Sequence, residues 1–255
     1  MIILRPNFLN TTTMVSTTNG TVTAANLFDQ QPARKWTTDN ADTDATTATL
    51  EIHFGETLTV SQIILKNINV KDFTIHYNAV TSTSLWSTFT TNSATNLYIE
   101  PGTTTGVESV HLTLNSTISA NSQKTIGDLY ISNLLYDFTD DRLPNAKSYK
   151  PFIFKKQIKH TMSDGGTILY NIRDKYHASI KMGFVPTSTV DTLRTIYDLD
   201  TAFLFVPFQT TSGWDGDIAE VVWPGNFDFM QFSDNNLGNG FQGRVQLMQT
   251  PGGIF

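Results

Sequence analysis

Between residues 50 and 78 apolar and polar side chains alternate with a period of two. Leu50, Ile52 and Phe54 interleave with Glu51, His53 and Gly55, the signature of a strand with one covered face. Residues 57–60 and the apolar run Ile63-Ile64-Leu65 follow. After Asn67-Ile68-Asn69 the alternation resumes at Phe73-Thr74-Ile75-His76-Tyr77. Further strands are predicted at 96–99, 107–114 and 126–135, with Thr- and Ser-rich turns between them at short intervals, which points to a sandwich or barrel. No helix longer than two turns is predicted before residue 140.

Composition agrees with that reading. The chain has 255 residues, enough for two domains and a sizeable core. Charged residues make up 16%, against about 25% in ordinary soluble domains. Thr, Asn and Ser take their place, which suits strands and turns and leaves much surface suited to meeting other protein. The net charge of −6 is uneven: residues 1–140 carry six basic side chains (Arg5, Arg34, Lys35, Lys66, Lys71, Lys124) and twelve acidic ones, and residues 141–255 eleven of each. Neither half shows the dense basic stripe that a phosphate backbone requires, so nucleic acid is not an expected partner. With no cysteine, disulfide scaffolds, thiolate metal sites and cysteine nucleophiles are excluded. No apolar run approaches the roughly 18 residues of a membrane span, and Met1–Asn7 does not read as a signal peptide, so synthesis and folding in a cytoplasm are expected.

Near Asp140-Asp141-Arg142-Leu143-Pro144 the alternation stops. The basic run that follows, Lys147 to Lys159, reads as a linker or as an exposed strand edge, where lysines discourage stray pairing. Beyond it, strands are predicted at 168–172 and 176–183, joined by a turn at Arg173-Asp174-Lys175. One helix is predicted over 187–197: Pro186 precedes it, Thr187 or Ser188 caps it, and Asp191 supports its first turn. Val190, Leu193, Ile196 and Tyr197 share one face, so the helix is expected to pack on a sheet. Strands at 202–207, 219–224 and 243–248 complete this half. The expected fold is all-β: a jelly-roll sandwich over 1–140, a linker over 141–150, and a second β-sandwich or barrel with one covering helix over 151–255.

Residues 24–36, with Asn26, Asp29 and Trp36, resemble the opening of a discoidin-type (galactose-binding-like) domain, in which an Asn-x-x-Asp loop precedes a core Trp. Leu50-Glu51-Ile52-His53-Phe54-Gly55, the run 60–65, the strand at Phe73–Tyr77 and the closing Ile126-Gly127-Asp128-Leu129-Tyr130-Ile131 are similar to the same family in order and spacing. The resemblance covers about residues 7–138. It implies a jelly roll, loops at one end that bind glycans or lipids, and a structural ion beside an acidic loop. The second half resembles bacteriophage tail-tube-like and distal-tail domains in its opening strand and loop (154–166), its helix, the strand Phe203–Pro207, the Trp223-Pro224-Gly225 turn and the ending 240–247. That resemblance implies rings built from identical subunits.

Chemistry-bearing patterns are sparse. His53, His76 and His111 lie outward of the apolar positions in their strands and read as solvated or rim histidines. There is no His-x-x-x-His pair, Gly-x-Ser-x-Gly elbow or phosphate-binding Gly-rich loop. Asp39, Asp42 and Asp44 form the one acidic cluster; oxygen ligands at this density can hold calcium, yet the calcium-loop glycine is missing and a solvated turn is the preferred reading. Asp215 and Asp217 beside Trp214 are the one carboxylate pair placed for glycoside cleavage, and a Gly-rich loop explains them equally well. Trp36 is expected in the core, while Trp86 and Trp214 are expected in loops as contact surfaces for sugar or protein. No cofactor is expected. The function expected is non-enzymatic assembly in a tailed-phage virion, in a distal-tail or baseplate ring made in the host cytoplasm, most simply a hexamer, with identical subunits and other tail proteins as partners. The alternative is a carbohydrate-binding module that attaches to a host-surface glycan.

Overall fold

The computed structural model of the chain describes residues 1–9, 14–17, 24–29, 34–38, 44, 46–138, 149–162, 166–207, 217–231 and 240–250. In chain order its strands are β1 (Ile2–Leu4), β2 (Met14–Thr17), β3 (Trp36–Thr37), β4 (Ala48–Val60), β5 (Gln62–Lys66), β6 (Val70–Tyr77), β7 (Leu85–Phe89), β8 (Leu97–Ile99), β9 (Thr104–Thr117), β10 (Thr125–Ile126), β11 (Asp128–Ser132) and β12 (Leu134–Asp137). Then come β13 (Tyr149–Thr161), β14 (Thr167–Pro186), helix α1 (Thr187–Tyr197), β15 (Phe203–Val206), β16 (Ala219–Val222), β17 (Asp228–Gln231) and β18 (Gly240–Gln249).

The first part is an antiparallel sandwich. A five-stranded sheet in the order β2-β4-β9-β6-β7 faces a three-stranded sheet β11-β5-β8, and β3 pairs with β10 beside them. The period-two pattern does its expected work: Leu50 and Ile52 of β4, Val110 and Leu112 of β9, Phe73 and Ile75 of β6 meet Ile63, Leu65, Leu129 and Ile131 of the smaller sheet in one core. Each such side chain contributes about 1.5–3 kcal/mol relative to exposure. Trp36 lies in this core, as its pattern implied.

The second part is an open eight-stranded sheet, β12-β1-β15-β16-β18-β14-β13, with β17 added on β18. It does not close into a barrel; β12 and β13 are its edges. One face carries α1, whose Val190, Leu193 and Ile196 pack with Ile180, Val245, Phe203 and Phe205. The other face meets the first sandwich along an apolar seam of Ile2, Leu4, Leu204, Val206 and Ile218 against Ile64, Tyr98 and Tyr130. The three-residue β1 serves both faces, with Ile3 turned to the helix-side core and Ile2 and Leu4 to the seam. β1 pairs with β12 on one side and β15 on the other. The sandwich is thus inserted in the chain between two neighbouring strands of the second sheet.

Three local expectations are corrected. The strand predicted over 126–135 is three strands. Gly127 sits where a Cβ would come within 2.7 Å of the Asn67 Cβ, and at Asn133 the chain leaves the sandwich for the second sheet. The turn predicted at Arg173-Asp174-Lys175 is continuous strand, because these residues pair with Lys156, Lys155 and Phe154 of β13; with no Gly or Pro to break it, a partner ladder outweighs a charged triplet. Helix α1 spans the predicted residues, but its N-cap is Pro186 and no side chain caps it. Of the linker expected at 141–150, residues 141–148 lie outside the described set, and Tyr149 and Lys150 open β13. No helix among the described residues is long and apolar enough to cross a membrane.

Candidate functional site

Three places in the sandwich concentrate polar, titratable and aromatic side chains. The first is the end at which β6 turns into β7. Asn78 adopts a left-handed conformation (φ 56°), which Asn tolerates better than most residues. Its amide donates to the Gly106 carbonyl at 2.8 Å and its oxygen accepts from the Glu108 amide at 2.8 Å, so the turn is tied to the start of β9. The turn sets Tyr77 and Trp86 into a stacked pair, centroids 5.1 Å apart at 25°. The Trp86 Nε1 donates to Thr104 Oγ1 at 3.0 Å, and the Tyr77 hydroxyl reaches the Thr83 carbonyl at 3.4 Å. Trp86 lies within β7 and is half-buried, not a loop residue. Asn78, Thr105 and Glu108 are exposed at this end of the sandwich. An aromatic pair with a hydroxyl and a backbone carbonyl at its margin can stack on a pyranose and bond its hydroxyls.

The second place is the outward face of the five-stranded sheet. Register sets Glu51 opposite His111 and His111 opposite His76, with Ser109 opposite His53. His53 and His111 meet edge to face. Glu51 lies 3.6 Å from His111 Nδ1 and 3.8 Å from His53 Nε2, and Ser109 Oγ is 2.9 Å from His111 Nε2. His76 and His111 are only 8% and 9% exposed, so the reading of these two as solvated histidines is corrected. Burial, and then His111, hold the His76 imidazole below its ordinary pKa. The row is made by the register of β4, β9 and β6, which brings together residues 23 or more positions apart in the chain, so no local pattern shows it.

Ser109, His111 and Glu51 have the order of a serine, its base and an orienting acid, but the geometry does not serve catalysis. Ser109 is buried on a flat strand, the Glu51 contact is longer than a hydrogen bond, and the Ser109 amide lies 3.3 Å from Asn78 Oδ1 instead of facing an oxyanion. Among the described residues no group of three His, Asp or Glu is placed to hold a metal ion.

The third place is the opposite end of the sandwich, where β9 meets Lys124 and the acidic loop. Asp44 Oδ1 lies 3.0 Å from both the amide and the hydroxyl of Thr117, and the Asp44 amide is 3.3 Å from Asn121 Oδ1. The Thr117 amide above all holds the Asp44 carboxyl below the usual carboxylate range. Asp39, Asp42, Trp214 and Asp215 lie outside the described residues; Asp217 is described and half-buried. In the second part, a cleft of about 620 Å³ beside the end of α1 is lined by Tyr197, Asp198, Asp200 and Trp223.

The fold and these places define an all-β protein in which a sandwich is mounted on a helix-backed open sheet. No family model matches the chain, and no curated protein matches it. Among solved structures, chitosan-binding module 1 from a chitosanase/glucanase of Paenibacillus sp. IK-5 aligns over 51% of this chain and 99% of its own, at 13% identity and TM-score 0.43. The family 32 carbohydrate-binding module of C. perfringens NanJ, solved with galactose, covers 48% of this chain and 93% of its own, at 17% identity and TM-score 0.40. A Ruminococcus gnavus GH29 fucosidase solved with fucose covers 51% of this chain and 27% of its own, at 13% identity and TM-score 0.43.

Proposed function

We propose that the chain is a non-enzymatic carbohydrate-binding protein whose sandwich takes a neutral sugar and whose second sheet is its mount. The observation that carries this reading is the Tyr77–Trp86 pair, stacked, half-buried and bonded to Thr104 at one end of the sandwich, beside the Asn78 turn. Trp86→Ala is expected to weaken binding to the preferred glycan of an immobilised galactose- and glucosamine-type panel by roughly tenfold or more, with the melting curve kept as the check on folding. A folded natural protein that binds no glycan on the panel sinks the reading, as does a Trp86→Ala variant that binds unchanged.

A second reading, assembly into a tailed-phage virion as a distal-tail or baseplate ring, is favoured by the second sheet. Its edge strand β13 is 13 residues long and leaves Phe152 and Ile153 50% and 62% exposed. A long edge with exposed apolar side chains is a template for another chain. In this reading identical subunits, most simply six, meet mainly through residues 150–255, other tail proteins cap the ring, and the sandwich faces outward to a host glycan; the protein is made in the host cytoplasm. Particles in which the chain stands as a single copy, with β13 touching no identical neighbour, would exclude it.

A further inference from the structure

Tyr176, Ala178, Ile180 and Met182 of β14 and Val245 and Leu247 of β18 are buried toward α1. By the period of two, the residues between them belong to the other face of the sheet. The sandwich covers that face at Leu204 and Val206 of β15. Over β18, β14 and β13 it is open, and Lys150, Lys181, Arg244 and Gln246 are all exposed. We propose that this open face binds an oligouronate, a sugar chain whose rings carry carboxylates. The proposal does not rest on the Tyr77–Trp86 site, which lies in the sandwich, and it gives the second sheet a ligand of its own.

Register lays the face out in rows. In one row Phe152 of β13 is opposite His177 of β14, and the two rings stack, centroids 4.9 Å apart at 19°. His177 braces the Phe152 ring, which stays 50% exposed. A braced, exposed ring is a surface for the CH groups of a pyranose. Two residues along each strand, Lys150 is opposite Ser179 and Ser179 opposite Gln246. Two further along, Lys181 is opposite Arg244, and Arg244 is opposite Asp228 of β17. Here the face opens into a cleft of about 1040 Å³, lined among others by Lys181, Arg244, Asp228, Gln242, Gln246 and Met230.

Like charges directly opposite each other weaken a sheet, and Lys181–Arg244 is such a pair. The ion pairs among the described residues include none of Lys150, Lys181 and Arg244, so an anion laid across the row relieves a repulsion that the fold itself leaves in place. A carboxylate suits it: Arg holds one through two parallel hydrogen bonds, and Lys adds a point charge. At about 3.3 Å per residue, the Lys150 row stands about 7 Å and the Lys181 row about 13 Å from the Phe152 row. Lys150 can therefore meet the acid of a sugar seated on Phe152, while Lys181 and Arg244 need a second acid farther along the chain. The Gln242 and Gln246 amides and the Ser179 hydroxyl lie in and between these rows and fit sugar hydroxyls. Asp228 also accepts from hydroxyls and repels phosphates, and one exposed ring offers no run of stacking surfaces; both favour a sugar over a nucleic acid.

The test uses the full chain, backbone-amide NMR at low salt, and trisaccharides of galacturonate and of glucuronate. Saturable shifts are expected at the amides of Lys181, Arg244 and Gln246 with at least one trisaccharide, and none with its methyl ester, which keeps the sugar and removes the charge. The double variant Lys181→Gln, Arg244→Gln changes only exposed positions and is expected to bind roughly tenfold or more weakly. Phe152→Ala should weaken binding too, while Trp86→Ala binds the uronate as the natural protein does. The proposal is overturned if neither trisaccharide shifts these amides, if the ester binds as well, or if the double variant keeps its affinity. Equal shifts with acetate would mean that a lone carboxylate is enough. Tighter binding of a short oligothymidylate would mean a nucleic acid, and shifts that grow with protein concentration alone would mean a second copy. Each of these outcomes also overturns it. Failure of the glycan panel at Tyr77–Trp86 leaves this result untouched, so the two sites stand or fall separately.

Discussion

Trp36 sits in the sandwich core at 1% exposure, and its indole Nε1 has no hydrogen-bond partner. Its position is therefore held by packing, and Trp36→Ala is expected to cost about 3–5 kcal/mol and to lower the melting temperature sharply. A variant that melts normally and loses only glycan binding would make Trp36 a surface platform instead. His76 governs a different response. Burial and the neighbouring His111 lower its pKa from the ordinary 6.5, and burial and Lys175 do the same for His177. Each imidazole thus binds fewer protons folded than unfolded. The stability each imidazole contributes is full well above pH 6.5, falls as pH drops through that value, and levels off once the folded form is protonated too. The melting temperature should drop between about pH 7.5 and 5.5, and His76→Gln should flatten part of that slope. An unchanged slope in the variant would show that His76 contributes nothing to it.

At the scale of elements, strands with one covered face were legible because alternation records that face directly: Leu50, Ile52, Phe73 and Ile75 are buried where the pattern says, and His76, buried on the outward face, is the exception. Helix α1 was legible from Val190, Leu193 and Ile196. What local pattern could not carry is partnership. Arg173-Asp174-Lys175 looks like a turn until β13 is laid beside it, and Ile2-Ile3-Leu4 is too short to show any period. The histidine row on β4, β9 and β6 and the Trp86–Tyr77 stack depend on register between distant strands. The break at Gly127 is of the same kind, since nothing beside it in sequence reveals that Asn67 lies against it. There a Cβ would stand 2.7 Å from the Asn67 Cβ and 3.0 Å from the Lys66 carbonyl oxygen. Gly127→Ala must push β5 and β11 apart and is expected to destabilise the sandwich by about 1–3 kcal/mol, read as a shift in the denaturant midpoint. A midpoint equal to that of the natural protein would mean the two strands separate at no cost.

At the scale of the whole molecule the chain is nested, and β1 is the element on which the nesting turns. It is an interior strand, hydrogen-bonded to β12 on one side and β15 on the other. Its three side chains are all fully buried, Ile3 toward α1 and Ile2 and Leu4 in the seam. The seam is apolar enough that burial pushes the Tyr98 and Tyr130 hydroxyls well above the usual phenol range. Removing residues 1–5 would strip about 1.5–3 kcal/mol of burial for each of three side chains and leave the facing edges of β12 and β15 unpaired. Against a typical total of about 5–15 kcal/mol, that loss is enough to unfold the second sheet. The truncated chain is expected to lose native exchange protection in β14, β15 and β18 and to keep it in β4, β6 and β9, whose core contains none of the three side chains. A peptide of residues 1–9 added in trans should restore part of the lost protection, because β1 pairs with both β12 and β15 and its removal leaves both edges open. If the truncated chain instead keeps full protection in β15 and melts like the natural one, β1 is an ornament and the sandwich and sheet are separable modules.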